Sequence, residues 1–162
     1  MSDFQLTYAT MFDPPEALHE RFEAALTKRK QHLGQPGAML INGEDQRADE
    51  EFAITNPANT DQLLATFPRG TSDDADQALQ AARAAAESWG NTPWQERIAL
   101  LRRAADLLDE RIFDQAAVTT LEVGKNRLEA LGDVAEAPAL IRYAVQQMEK
   151  NHRGRTHGFL PG

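Results

Sequence analysis

Hydrophobic positions recur at two different periods along the 162 residues, and the change of period divides the chain. In the first segment Leu18, Phe22, Ala25, Leu26 and Leu33 fall at helical spacing, behind the start signal Asp13-Pro14-Pro15-Glu16. Asp13 is the expected N-cap, a proline sits where an N–H would be orphaned anyway, and Gly34 and Pro36 are the stop. From Met39 the period shortens. Met39-Leu40-Ile41, the turn pair Asn42-Gly43, Phe52-Ala53-Ile54-Thr55 and Leu63-Leu64-Ala65-Thr66-Phe67 read as one small antiparallel ribbon, with Asn56-Pro57-Ala58-Asn59 as the breaker. The polar run from Glu44 to Glu51 leaves its register open.

From Thr71 onward the pattern is helical. Thr71 or Ser72, with the aspartates that follow, caps a helix whose inner face is Ala75, Ala78, Leu79, Ala82, Ala85, Ala86 and Trp89, ending at Gly90. So many alanines on one face imply a close neighbour. Thr92-Pro93-Trp94-Gln95 reads as a capping box for a helix with Ile98, Leu101, Ala105, Leu108 and Ile112 on its stripe. A short break near Arg111 to Asp114 is expected, then continuation through Phe113, Ala117 and Leu121 to Gly124. Asn126, with Glu129 three residues on, starts the last helix, which carries Leu128, Leu131, Ala135, Ile141, Tyr143, Val145 and Met148. Pro138 inside it costs about 3 kcal/mol and predicts a kink, so that residues 126–150 form two segments meeting near Glu136. The tail, Asn151 to Gly162, has no periodicity.

Composition narrows the function classes. A formal charge of −8 disfavours a nucleic-acid partner, which would need clustered Lys and Arg. No apolar run reaches the roughly 20 residues of a membrane-spanning helix, and Met1-Ser2-Asp3-Phe4 is not a signal-peptide start. A cytoplasmic protein without a membrane partner is the expectation. There is no cysteine, hence no disulfide, no thiolate metal ligand and no thiol nucleophile in these residues.

Read without a family, the chemical inventory is thin. His19, His32, His152 and His157 lack metal-ligand spacing apart from the loose His152–His157 pair, and solvated histidines are the expectation. Gly124-Lys125 lacks both the upstream glycine and the following Ser or Thr of a phosphate loop, so a helix C-cap accounts for it. No Gly-x-Gly-x-x-Gly occurs. Asp73-Asp74-Asp76 and Asp106-Asp109-Glu110 fit a helix start and a polar helix face, and Lys150, His152, Arg153 and Arg155 fit a solvated linker.

Four phrases in order change the picture: Leu40-Ile41-Asn42-Gly43-Glu44, Thr55-Asn56-Pro57-Ala58-Asn59, the alanine-rich helix ending Ser88-Trp89, and Leu121-Glu122-Val123-Gly124-Lys125-Asn126. Over about residues 38–150 the chain resembles the amino-terminal region of the aldehyde dehydrogenase superfamily. The leader and Gly124-Lys125-Asn126, followed by Asp133-Val134-Ala135-Glu136-Ala137, resemble the L-glutamate γ-semialdehyde (1-pyrroline-5-carboxylate) dehydrogenases. That resemblance implies an α/β fold, here the amino-terminal part of an aldehyde dehydrogenase-like fold, mostly helical with a small antiparallel β-ribbon. It implies three stretches: a helical leader 1–37, the first part of the NAD(P)-binding domain 38–150, and a tail 151–162 leading toward the remainder.

The chemistry the resemblance implies uses a cysteine thiolate against the aldehyde, an oxyanion held by an Asn side chain and backbone N–H, hydride transfer to NAD, and a glutamate that activates water. In the family those groups lie further along than this sequence reaches, so no catalytic or cofactor-binding residue is expected here and the chain is expected to be inactive alone. Glu136 alone carries over, as a substrate-pocket residue. A small aldehyde is the expected substrate and a homo-oligomer the expected assembly. Pro138 and Leu140 depart from the family, which usually has a non-proline and an aromatic there. The rival reading is a non-catalytic relic that binds partners through its alanine-rich face.

Overall fold

The computed structural model describes residues 14–152, with His152 described by backbone alone. The first helix, α1 (Glu16–Lys30), begins one residue after Pro15, whose carbonyl accepts from Leu18 N–H at 2.9 Å. Pro15 occupies the cap position, not Asp13, which lies outside the described residues. Proline fits there because its fixed φ suits the helix entry and no donor is lost. The helix stops at Lys30, before the glycine expected to end it, and Leu33 follows in a turn.

The strands form two sheets where one ribbon was expected. β2 (Met39–Ile41) and β3 (Glu44–Gln46) make a separate hairpin. At its turn both Asn42 (φ 54°) and Gly43 (φ 79°) are left-handed, the geometry whose twist matches a tight two-residue hairpin. The polar run Glu44 to Glu51 contains the return strand, so polarity alone misjudged it. β4 (Glu51–Asn56) and β5 (Asn59–Pro68) pair antiparallel, with Phe52 opposite Phe67 and their ring centroids 6.1 Å apart.

The third member of that sheet is β1 (Gln35–Pro36), parallel to β5 through Gln35↔Ala65 and Pro36↔Thr66. Gly34 N–H donates to Leu64 O at 2.8 Å and Gly37 N–H to Thr66 O at 2.7 Å. Two residues carry no periodicity, and Pro36 reads as a breaker; on an edge strand its missing N–H costs nothing. A Cβ at Gly37 would overlap the Phe67 ring, which fixes how closely this segment crosses the sheet.

The helices supply the core. α2 (Ser72–Asn91) is followed by α3 (Trp94–Glu110), α4 (Ile112–Val123) and α5 (Arg127–His152). Thr71, one of the two caps expected for α2, takes that position and forms a capping box with Asp74. Thr92 does not cap α3: its hydroxyl donates back to Ser88 O at 2.9 Å and closes α2, and Pro93 takes the cap position of α3. Arg111 (φ −107°, ψ 14°) is the expected break between α3 and α4. α5 runs as one element through Pro138, against the two segments expected; Pro138 is fully buried, so packing offsets the hydrogen bond its ring removes.

Leu18, Phe22 and Ala25 of α1, Phe113, Ala116 and Ala117 of α4, and Ala130 and Leu131 of α5 form the main buried cluster. The leader helix is thus part of the core. α3 lies along α5, burying Ile98 and Ala105, while Leu101, expected on the same stripe, is more than a third exposed. The alanine-rich helix differs: α2 touches β2 and buries none of its residues.

Candidate functional site

The strongest sequence-derived site residue, Glu136, stands on α5, and the start of that helix is fastened at several points. Gly124 ends α4 in the left-handed conformation (φ 75°), with Pro57 of the β4–β5 turn where a Cβ would need space. Asn126 then caps α5, its side-chain oxygen accepting from Leu128 N–H (3.1 Å) and Glu129 N–H (3.0 Å). Lys125 pairs with Asp133, nearly two turns into the helix, through a hydrogen bond that raises the pKa of the ammonium above its ordinary value. This ion pair accounts for Gly124-Lys125 without a phosphate. Arg127 reaches back to Glu23, donates to His19 Nδ1 at 2.7 Å and lies over the Phe22 ring at 5.1 Å.

Further along, Arg142 is clasped by Asp109 (2.6 Å) and Asp106 (2.8 Å) of α3, which hold its guanidinium even further above neutrality than usual. Arg102 meets Glu149 at 2.5 Å. Two of the α3 carboxylates read as a solvated face therefore tie α3 to α5. Sequence could not reveal it, because the partners are more than 30 residues apart.

This fastening sets the rotation of α5. Leu131, Pro138 and Val145, seven residues apart in turn, are buried along one line. Glu136, Leu140 and Tyr143, at i, i+4 and i+7, share the opposite side and are exposed, Leu140 at 59% and Tyr143 at 62%. Tyr143, one of the apolar positions noted on this helix, thus lies on its exposed side. The spacing from Glu136 was the available signal: a carboxylate, a branched apolar side chain and a phenol on one helical face.

A second feature is an open groove between α1 and the α3–α4 junction, lined by Arg21, Ala24, Ala25, Lys28, Glu110, Phe113 and Asp114. Its cations are engaged, Arg21 over the Phe113 ring at 4.2 Å and Lys28 with Asp114 at 3.4 Å. Glu136 is not among its lining residues. Of the histidines, His19 takes the Arg127 bond and His32 Nδ1 lies 2.9 Å from Lys28 O. His157 and the His152 side chain, like Arg153 and Arg155, lie outside the described residues. Among the described residues no group of three or more His, Asp or Glu could hold a metal ion, and no helix is long and apolar enough to cross a membrane.

The sequence model of the aldehyde dehydrogenase family matches residues 44–160. The chain belongs to the aldehyde dehydrogenase family. It is similar to the 1-pyrroline-5-carboxylate dehydrogenase of Staphylococcus epidermidis, 38% identical over 129 residues that make up 80% of this chain and 25% of the relative. Among solved structures it is similar to Thermus thermophilus 1-pyrroline-5-carboxylate dehydrogenase, with a TM-score of 0.85 and 29% identity over 100% of this chain and 31% of that one. A Thermus 1-pyrroline-5-carboxylate dehydrogenase with bound NAD gives 0.83 at 29% identity, with the same coverage of both chains. The chain thus spans about a quarter to a third of the length of these aldehyde dehydrogenases, and its α/β architecture is that of the amino-terminal part of their fold.

The described residues do not by themselves fit a dinucleotide such as the one in the Thermus structure. No glycine-rich turn opens a helix here, and the groove beside α1 is open, with its lysine already paired.

Proposed function

We propose that this chain is the amino-terminal scaffold of an NAD(P)-dependent aldehyde dehydrogenase that oxidises L-glutamate γ-semialdehyde to glutamate in proline breakdown. The observation that carries the reading is the fastened α5 with the Glu136 carboxylate exposed on the face away from the core. In this reading Glu136 forms part of the substrate pocket wall, where a carboxylate suits the ammonium of an amino-acid aldehyde. The similarity to 1-pyrroline-5-carboxylate dehydrogenases supports the substrate class. Residues 38–150 are then the first part of the NAD(P)-binding domain, 1–37 the leader, and 151–162 the run toward the remainder. The complete protein is a cytoplasmic homo-oligomer.

The sequence contains no cysteine, and the reaction needs a nucleophile that its hydroxyl and carboxylate groups replace poorly. The 162 residues alone are therefore inactive in this reading. Purified chain incubated with NAD and glutamate γ-semialdehyde should give no reduced cofactor, and turnover above the protein-free rate would refute this. In an active polypeptide containing this segment, Glu136→Gln should raise KM for the semialdehyde several-fold more than it lowers kcat, with a smaller effect on a simple aliphatic aldehyde. Equal effects on both substrates would remove Glu136 from the pocket.

A second reading, a non-catalytic interaction module, draws on the unburied α2. An open reading frame that continues from this segment into a cysteine-bearing domain favours the enzyme; a natural product without one favours the module.

A further inference from the structure

We propose that Asn42 is a self-modification site: its side-chain amide is lost as ammonia after attack by the Gly43 backbone nitrogen, and the isoaspartyl link that follows loosens the β2–β3 hairpin. The chain has six asparagines, Asn42, Asn56, Asn59, Asn91, Asn126 and Asn151, and Asn42 alone precedes a glycine. A Cβ on the following residue crowds the approach of that residue's nitrogen to the asparagine Cγ; glycine has none and leaves the backbone free to rotate. The structure withdraws the other five. Asn56 precedes Pro57, which has no N–H to give up, and its amide is held on both sides, Nδ2 donating to Gln62 Oε1 and Oδ1 accepting from Ala58 N–H, each at 2.9 Å. Asn126 engages its side-chain oxygen with Leu128 and Glu129 N–H. Asn151 lies inside α5, whose helical backbone fixes the nitrogen that would attack. Asn59 and Asn91 precede β-branched threonines, and the Thr92 N–H already donates to Ser88 O.

At Asn42 nothing stands in the way. Both turn residues are exposed, and among the described residues the Asn42 side chain holds no hydrogen bond. No atom lies within 4 Å of where a Cβ on Gly43 would be. Closed, the turn holds Asn42 at φ 54° and Gly43 at φ 79°, and attack needs a rotation about the Asn42 Cα–C bond. The hairpin grants it by opening, since its pairing ends after Met39↔Gln46, Leu40↔Asp45 and Ile41↔Glu44 and a two-stranded sheet is marginal in water.

In the step itself the Gly43 nitrogen, its proton given to solvent base, bonds to Asn42 Cγ. The Cγ–Nδ2 bond breaks and the nitrogen leaves as ammonia, its added proton drawn from water. The five-membered imide then takes up water. Addition at Cγ gives an aspartate, whereas addition at the backbone carbonyl leaves the chain running through Cγ as an isoaspartyl link. The net change is amide plus water to carboxylate plus ammonium, with nothing oxidised or reduced. Either product adds a negative charge beside Glu44 and Asp45. The isoaspartyl product also inserts one more carbon into a turn whose two residues set the register, so Ile41 no longer meets Glu44.

The test incubates the purified chain in neutral and in mildly alkaline buffer and follows every asparagine by peptide mass spectrometry, with ammonia release as an independent readout. Conversion should be about tenfold or more faster at Asn42 than at any other asparagine, a barrier difference of about 1.4 kcal/mol. It should quicken with pH, because the nitrogen attacks deprotonated, and should yield both products. Gly43→Ala should slow it about tenfold, although the substitution strains the left-handed turn. A looser hairpin alone would speed conversion, so that loss cannot come from unfolding. The aged chain should exchange its amides over residues 39–46 faster than either the fresh chain or Asn42→Asp, which carries the charge without the added carbon. Faster conversion at another asparagine, aspartate as the only product, or a rate unchanged by Gly43→Ala overturns the site. Equal exchange in the aged chain and in Asn42→Asp overturns the loosening of the hairpin by the longer backbone.

Discussion

At the scale of single residues, burial and backbone geometry decide what a substitution does. Phe22 is 2% exposed and packs within the cluster joining α1, α4 and α5, under the Arg127 guanidinium. Removing its ring leaves a cavity that the surrounding alanines cannot fill, so Phe22→Ala should cost about 3–5 kcal/mol. Against a typical total of roughly 5–15 kcal/mol, that erases much or all of the cooperative thermal transition followed by circular dichroism. Tyr143→Ala serves as the contrast: at 62% exposure it should shift stability by less than about 0.5 kcal/mol. Gly124 is held by its backbone, since φ 75° disfavours any Cβ and Pro57 sits 3.2 Å from where one would be. Gly124→Ala should lose about 1–2 kcal/mol in urea titrations, and an unchanged midpoint would mean that the α4–α5 joint is not so constrained. Phe22 and Gly124 were readable from sequence, as a stripe member and a C-cap. Tyr143 was not, because a helical apolar pattern names a face without saying where a mixed-character residue on its border points.

At the scale of elements, local signals read true where the partner lies within a few residues. The Asn42-Gly43 turn, the Thr71–Asp74 box, the Arg111 break and the Asn126 cap are of that kind. The errors came where a nearby signal competed with a distant partner: Thr92 spent its hydroxyl backward on Ser88, β1 exists only because β5 accepts it, and Pro138 is tolerated because its ring is buried. Two predictions belong here. Asn126→Ala removes the acceptor for two N–H groups at the start of α5 and should lower stability by about 1 kcal/mol. The α2 cap should also be pH-sensitive. Asp74 accepts from the Thr71 N–H, the larger cause, and from the Thr71 hydroxyl, so its pKa lies below the ordinary 3.8. A depressed folded-state pKa gives a stabilisation fully present above the unfolded value and lost as pH falls through the folded one. Side-chain NMR of Asp74 should titrate with a midpoint under 3.8, accompanied by fraying of the first turn of α2. A midpoint at or above that value removes the cap from solution.

At the scale of the whole molecule the packing is uneven, and this bears on what the chain can do. The α1–α4–α5 cluster and the α3–α5 seam bury most of the core, whereas α2 buries nothing and the β2–β3 hairpin stands as a two-stranded sheet with Leu40 71% exposed. Isolated hairpins and helices without a packed face are marginal in water. The alanine stripe was legible as a face seeking a neighbour; that none of its residues is buried among the described residues was not, because periodicity reports a face and never its partner. Amide exchange of the chain alone should consequently form a gradient: slowest in α4 and the first half of α5, intermediate in α3 and β5, fastest in α2 and the β2–β3 hairpin, with the extremes separated by orders of magnitude. Leu131→Ala should speed exchange across α1, α4 and α5 together, since that cluster opens as a unit, while leaving the already fast α2 nearly unchanged. Uniformly slow exchange through α2 and the hairpin would mean that the chain supplies their cover itself, and the case for a scaffold completed by further polypeptide would fall with it.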